Sequence, residues 1–124
     1  EIKYTNNEQY IYQMKKLFTN YNFAFSKNEK KLLVTFCKQA LKQVENDNRY
    51  FHEERALHAI IEKLSSDTEE VKLTKDEKVR LKFQLEQNVK FMKQTMAKSW
   101  FLKKWLYKSM LVQYEGILEN HFKQ

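Results

Sequence analysis

Apolar residues recur every three or four positions along most of this 124-residue chain, which is the period of an amphipathic α-helix. The spacing predicts helices over residues 6–20, 27–45 and 49–64, and a last helical region over 75–122. The side chains expected to face a core are, in chain order, Tyr10, Ile11, Met14, Leu17, Phe18, Tyr21, Leu33, Phe36, Cys37, Ala40, Leu41, Val44, Leu57, Ile60, Ile61, Leu64, Leu81, Leu85, Val89, Met92, Met96, Met110, Tyr114, Ile117 and Leu118.

Three short strings of the form S/T-x-x-E mark where helices begin. They run from Thr5 to Glu8, from Ser26 to Glu29 and from Thr74 to Glu77. In such a capping box the hydroxyl accepts a hydrogen bond from the third helical amide, and the glutamate accepts one from the cap's own amide. Each string precedes a helical pattern, so three helix starts are predicted.

The connections are predicted from polar and turn-forming residues. The string Asn46-Asp47-Asn48 indicates a turn, because Asn and Asp side chains satisfy turn backbone locally. Residues 65–73 are predicted to be a polar loop. The last helical region would be about 72 Å long if unbroken, against a radius of gyration of roughly 14 Å for a compact domain of this size. We therefore expect a kink or break near residues 98–101, with Ser99 as a candidate cap.

The composition favours helices throughout. The chain holds one glycine and no proline, and the turns of β-rich folds depend on both residue types. We predict an all-α fold, an antiparallel bundle of four or five helices, built as a single domain over residues 1–124.

Charge is distributed unevenly along the chain. The net charge is +7, and the stretch from residue 87 to residue 114 carries six lysines and no acidic residue. A cationic stretch of this kind shapes the surface potential and attracts anionic partners.

Signals for catalysis are weak. A single glycine excludes the glycine-rich loops that bind phosphates. His52 and His58 are six residues apart, whereas a zinc-binding pair on a helix is four apart. Cys37 is the only cysteine and falls on an apolar stripe, where a thiol acts mostly as a small hydrophobe. We expect no enzyme activity, no cofactor and no metal site, and a cytoplasmic location.

The stretch SWFLKKWLYK, residues 99–108, is the most unusual part of the sequence. It contains both tryptophans, and large apolar side chains alternate with lysines around a helix. Either this helix is the central, buried helix of its own bundle, or it binds a partner. In both cases Leu102 and Leu106 are expected on an inward line with Met110. We predict a non-enzymatic interaction or regulatory module that binds a protein partner, a second copy of the chain included, around residues 98–112. The predicted contact residues are Trp100, Phe101, Trp105, Tyr107, Lys104 and Lys108.

Nucleic-acid binding is the alternative function. Lysines can neutralise phosphates while aromatic rings stack on bases. No arginine lies in the basic stretch, and arginine is the side chain best suited to base-specific contacts. The alternative is therefore a sequence-tolerant binder. Its contact residues would be Lys90, Lys93, Lys98, Lys103, Lys104 and Lys108. Attachment to a membrane surface is disfavoured, because the stretch is not cleanly two-faced.

Overall fold

The structure, a computed structural model, confirms the predicted helical bundle and adds a small sheet. It describes residues 5–17, 20–98 and 101–123, and the side chains of residues 5–11, 21–98 and 104–123. The described residues form five α-helices and two strands. These are α1 (Asn6–Leu17), β1 (Asn20–Phe23), α2 (Lys27–Val44), α3 (Phe51–Ser65), β2 (Val71–Thr74), α4 (Lys75–Ala97) and α5 (Phe101–Ile117). A π-helical turn, Leu118–Phe122, extends α5.

The chain packs as two compact units, residues 1–78 and 79–124. The division falls within α4. The expectation of one domain over residues 1–124 stays a prediction.

All three predicted capping boxes are present. The amide of Glu8 donates to Thr5 Oγ1 at 3.2 Å, and that of Glu29 donates to Ser26 Oγ at 3.1 Å. In return, each glutamate accepts from the cap amide, at 3.0 Å in the first box and 2.8 Å in the second. Two otherwise unpaired amides at each helix start are thereby satisfied.

The core of the first unit lies where α2 and α3 pack together. The spacing of the apolar residues places one face of each helix inside, as predicted, although Ala40, Val44 and Ile61 are only half-buried. The buried apolar side chains of this unit are Phe23, Phe25, Leu33, Phe36, Cys37, Leu41, Ala56, Leu57, Ile60, Leu64, Val71 and Leu73.

Strands β1 and β2 correct two predictions. Residues 20–23, where the first helix was expected to end, are extended. They pair antiparallel with residues 71–74, which begin inside the expected polar loop and end at the expected cap Thr74. Phe23 lies opposite Val71, and Tyr21 lies opposite Leu73. Four-residue strands are too short for alternation to distinguish them from helix ends or loops. The tertiary pairing, which buries Val71 and Leu73, decides their conformation.

Two residues of the stripe predicted for the first helix are exposed. The side chains of Tyr10 and Ile11 are 64% and 46% exposed, so the prediction that they face a core is wrong. The side chains of Met14 and Leu17, and all of Phe18, lie outside the described residues.

A buried carboxylate joins three elements of the first unit. Glu77, at the start of α4, is 7% exposed. Its Oε1 accepts hydrogen bonds from the amide of Thr74 at 2.9 Å and from Lys63 Nζ on α3 at 2.5 Å. The Glu77 amide donates to Thr74 Oγ1 at 3.1 Å, which completes the third capping box. The end of β2, the start of α4 and the C-terminal part of α3 therefore meet at one carboxyl group.

The predicted turn and the predicted break are both found. Asn46 has φ 67°, a left-handed conformation that asparagine tolerates well. Asp47 then caps a short 3-10 helix by accepting from the Arg49 amide at 3.0 Å. Helix α4 ends at Ala97, and α5 begins at Phe101, which confirms the break near residues 98–101. The candidate cap Ser99 lies outside the described residues.

The third capping box predicts the effect of a single substitution. Thr74→Ala removes the hydroxyl that accepts from the Glu77 amide, and should lower the free energy of unfolding by about 1 kcal/mol. Urea denaturation measures this loss. Thr74→Ser keeps the hydroxyl and serves as the control. An equal loss in both variants would show that the hydroxyl is not what stabilises this helix start.

Candidate interaction surface

The second unit has a well-defined buried side. Its buried apolar residues recur at helical spacing, most of them as predicted, and the half-buried Met96, Met110 and Leu118 flank them. The buried set is Leu81, Leu85, Val89, Met92, Leu111, Tyr114, Ile117 and Phe122. Since α5 buries Leu111, Tyr114 and Ile117, its opposite side points away from these residues.

That opposite side exposes two large apolar side chains and two small residues where the structure describes it. Trp105 is 71% exposed and Val112 is 64% exposed, while Ser109 is exposed and Gly116 is partly exposed. These four residues are spaced by four, three and four positions, and lie within about 40° of one line along the helix. We call them the outward face of α5.

The exposure of residues beside the outward face shows whether α5 is enclosed by its own bundle. Leu106, expected on an inward line with Met110, is 55% exposed, so that expectation is wrong for Leu106. With Trp105 and Leu106 both exposed, α5 is not surrounded by its own chain at these positions. The interpretation of residues 99–108 as a central buried helix therefore fails at Trp105 and Leu106.

The predicted contact residues do not all share one face. Lys104 and Lys108 are exposed and lie along one edge of the outward face. Tyr107 is half-buried and lies about 160° around the helix from Trp105. Trp100 and the Phe101 side chain lie outside the described residues.

The six lysines of the basic stretch are also dispersed. Lys90 and Lys98 are exposed on and just after α4, whereas Lys93 approaches Glu115 of α5 at 3.5 Å. Lys90 and Lys93 are only about 60° apart around the helix, but the Lys93 ammonium is already close to the Glu115 carboxylate. The Lys103 side chain lies outside the described residues. The described lysines therefore do not form one uninterrupted phosphate-binding row, because Lys93 is already paired with Glu115.

Two exposed rings on α4 were not singled out from the sequence. Phe83 is 57% exposed and Phe91 is 61% exposed. The signal was present, because both residues fall off the stripe formed by Leu81, Leu85 and Val89. A large ring off a buried stripe is a candidate contact residue.

A groove of about 320 Å³ runs between α4 and the end of α5. Its apolar floor contains Val89, Leu118 and Phe122. Three lysines and three glutamates line the rest, and two ion pairs form among them: Lys93 with Glu115, and Lys123 with Glu119 at 3.1 Å. A groove with balanced and internally paired charges does not select a ligand of either sign.

A second groove, of about 530 Å³, lies in the first unit between α2 and the end of α3. Lys27, Lys30 and Lys31 line it beside Val34 and Leu64. Lys30 Nζ already donates to the carbonyl oxygens of Ser66 and Thr68. This lysine therefore ties the loop after α3 to α2, and it is not an open anion ligand.

The candidate metal ligands of α3 are exposed or half-buried in the structure. His58 Nε2 lies 3.9 Å from Glu54 Oε1 on the exposed side of α3. In the described parts of the chain no three His, Cys, Asp or Glu residues come close enough to hold a metal ion. Within the same ranges, every helix is too short or too polar to cross a membrane.

No family model matches the sequence, and neither a curated protein nor a solved structure matches the chain. Function has to be argued from the outward face of α5 and the charges beside it.

The Cys37 thiol gives a testable consequence of burial. Cys37 is completely buried, and desolvation raises the pKa of its thiol to about 12 from an ordinary value of about 8.5. The thiolate, which is the reactive form, is therefore scarce in the native protein. At pH 8, a disulfide reagent should label Cys37 rapidly in denaturant and very slowly in native buffer.

The raised pKa of the Cys37 thiol also makes the stability of the fold depend on pH. The unfolded thiol ionises above about pH 8.5 while the folded thiol stays protonated, so its contribution to stability is complete below that pH and falls as pH rises. Rapid labelling of the native protein at pH 8 would contradict the buried position of Cys37.

Proposed function

We propose that the protein is a non-enzymatic interaction module that binds a protein partner through the outward face of α5. The observation that carries the proposal is the 71% exposure of Trp105 on a helix whose other side is buried. Tryptophan is among the side chains most enriched at the energetic centres of protein interfaces.

The free energy available from covering the Trp105 indole supports a binding role. An indole contributes roughly 150 Å² or more of buried surface when covered. At about 25 cal/mol per Å², covering it gives on the order of 4 kcal/mol, before the costs of association are subtracted. Val112 and Leu106 add further apolar area beside it. The exposed lysines Lys104 and Lys108 supply a charged rim, as interfaces commonly have.

Nucleic-acid binding is retained as the second candidate because of α4. Lys90 is exposed, and the adjacent Phe91 ring is 61% exposed. Such a ring can stack on a base while the lysine neutralises a phosphate. Against this candidate, Lys93 is paired with Glu115, and the cations of the basic stretch do not form one row.

Trp105→Ala separates an exposed anchor from a core residue. Because the indole is exposed, we expect the melting temperature to stay nearly unchanged, whereas truncation of a buried tryptophan costs about 3–5 kcal/mol. Leu85→Ala, at a completely buried position of α4, is the control and should melt much earlier. A large loss of melting temperature in Trp105→Ala would contradict the surface role.

Photo-crosslinking tests binding directly. A photoreactive phenylalanine analogue at position 105, in the cells where the protein is native, should form adducts with protein. The same analogue in place of the exposed Lys38 on α2 is the control. If position 105 gives no more protein adducts than position 38, the proposed function is wrong. Salt-sensitive crosslinks to nucleic acid instead would favour the second candidate.

A further inference from the structure

We infer that the partner of the outward face of α5 is the same face of a second copy of the chain, with the two helices antiparallel. This inference rests on the proposed function and names the partner. It is carried by three observations: the order of large and small residues along the face, the open space at Gly116, and the charges along one edge.

The outward face is self-complementary in size. From its N-terminal end it reads Trp105, Ser109, Val112, Gly116, over about 16 Å of helix. A two-fold axis across the middle of this line places Trp105 opposite Gly116 of the second copy, and Val112 opposite Ser109. Each large side chain then meets a small one. Parallel pairing would instead place the two Trp105 rings against each other and leave the two glycines facing a gap.

Gly116 has no packing role within its own described chain. Apart from its two chain neighbours and the nearby backbone of its own helix, a Cβ atom built at this position meets no heavy atom within 4 Å in the part of the chain that the structure describes. Glycine inside a helix is unfavourable relative to alanine, and this is the only glycine in the sequence. A large ring arriving from outside would use the space that the missing side chain leaves.

The charges along one edge show the same two-fold pattern. Lys104 and Lys108 lie on this edge in the first half of α5, Glu115 lies on it in the second half, and Glu119 follows in the π-helical turn after α5. All four side chains are exposed, and each glutamate already has one lysine of its own chain nearby. In an antiparallel pair the same edges meet, so Lys108 approaches the second copy's Glu115, and Lys104 approaches its Glu119.

These glutamates also make nucleic acid or an anionic membrane a poorer partner for the face than a second copy of the chain. A phosphate backbone or an anionic lipid surface lying along α5 would meet Glu115 and Glu119 in the second half of the edge. A second copy presents a lysine to each of them. Charge complementarity therefore favours the chain itself as the occupant.

Charge exchange in sedimentation equilibrium tests the pairing. The wild-type chain should show a reversible monomer–dimer equilibrium that stops at the dimer. Lys108→Glu and Glu115→Lys should each weaken dimerisation by about tenfold or more, because each places like charges opposite one another twice. An equimolar mixture of the two variants should dimerise about as well as wild type, since both contacts are then opposite in sign.

The controls change net charge equally without touching the face. Lys38→Glu on α2 matches Lys108→Glu, and Glu62→Lys on α3 matches Glu115→Lys; both positions are exposed. Neither control should alter dimerisation. Gly116→Leu should fold, judged by circular dichroism, and should lose the dimer because its side chain fills the space for Trp105. The exposed Gln39→Leu is its control.

Three results would overturn the inference: a wild-type chain that stays monomeric up to millimolar concentration, variants that dimerise unchanged, or a mixture no better than its components. Protein adducts from position 105 with a chain that does not dimerise would reject the second copy and leave the proposed function intact. Binding of a single-stranded oligonucleotide or anionic vesicles by a monomeric wild-type chain would also reject it.

Discussion

The carboxylate of Glu77 is the interaction on which the organisation of the first unit depends. It accepts from the Thr74 amide and from Lys63 at once, in a place that is only 7% exposed. A charge so deeply buried is tolerated because it is paired and hydrogen-bonded. The contact ends β2, begins α4 and fixes α3 beside both. The contact also sets the residue at which α4 starts. The buried stripe of that helix begins shortly afterwards, at Leu81.

Local chemistry explains why much of the fold could be predicted. The capping boxes at Thr5, Ser26 and Thr74 are contained within four residues each, so their signals do not depend on distant parts of the chain. The break after Ala97 followed from length alone. Strands β1 and β2 could not be predicted, because a four-residue strand is stabilised by its partner, here about 50 residues away in the sequence.

The candidate surface was predicted only in part, for a related reason. Periodicity identified Tyr114 and Ile117 as buried. Because α5 is continuous from Phe101 to Ile117, Trp105 then lies on the opposite, outer side. Periodicity placed Leu106 on the wrong side, because a stretch with apolar residues all round has no single phase. It also gave no reason to notice Gly116, whose interest arises from the open space around it. A sequence pattern shows which residues could form a face, and packing decides which face is left uncovered.

The most direct measurement follows the exposure of Trp105 as the protein concentration rises. Trp100→Phe leaves Trp105 as the only tryptophan in the chain, so acrylamide quenching of its fluorescence reports this indole alone. We expect strong quenching in dilute protein, because the side chain is 71% exposed. The quenching should decline as the second copy covers the ring. Strong quenching that stays constant up to millimolar protein would contradict pairing through Trp105.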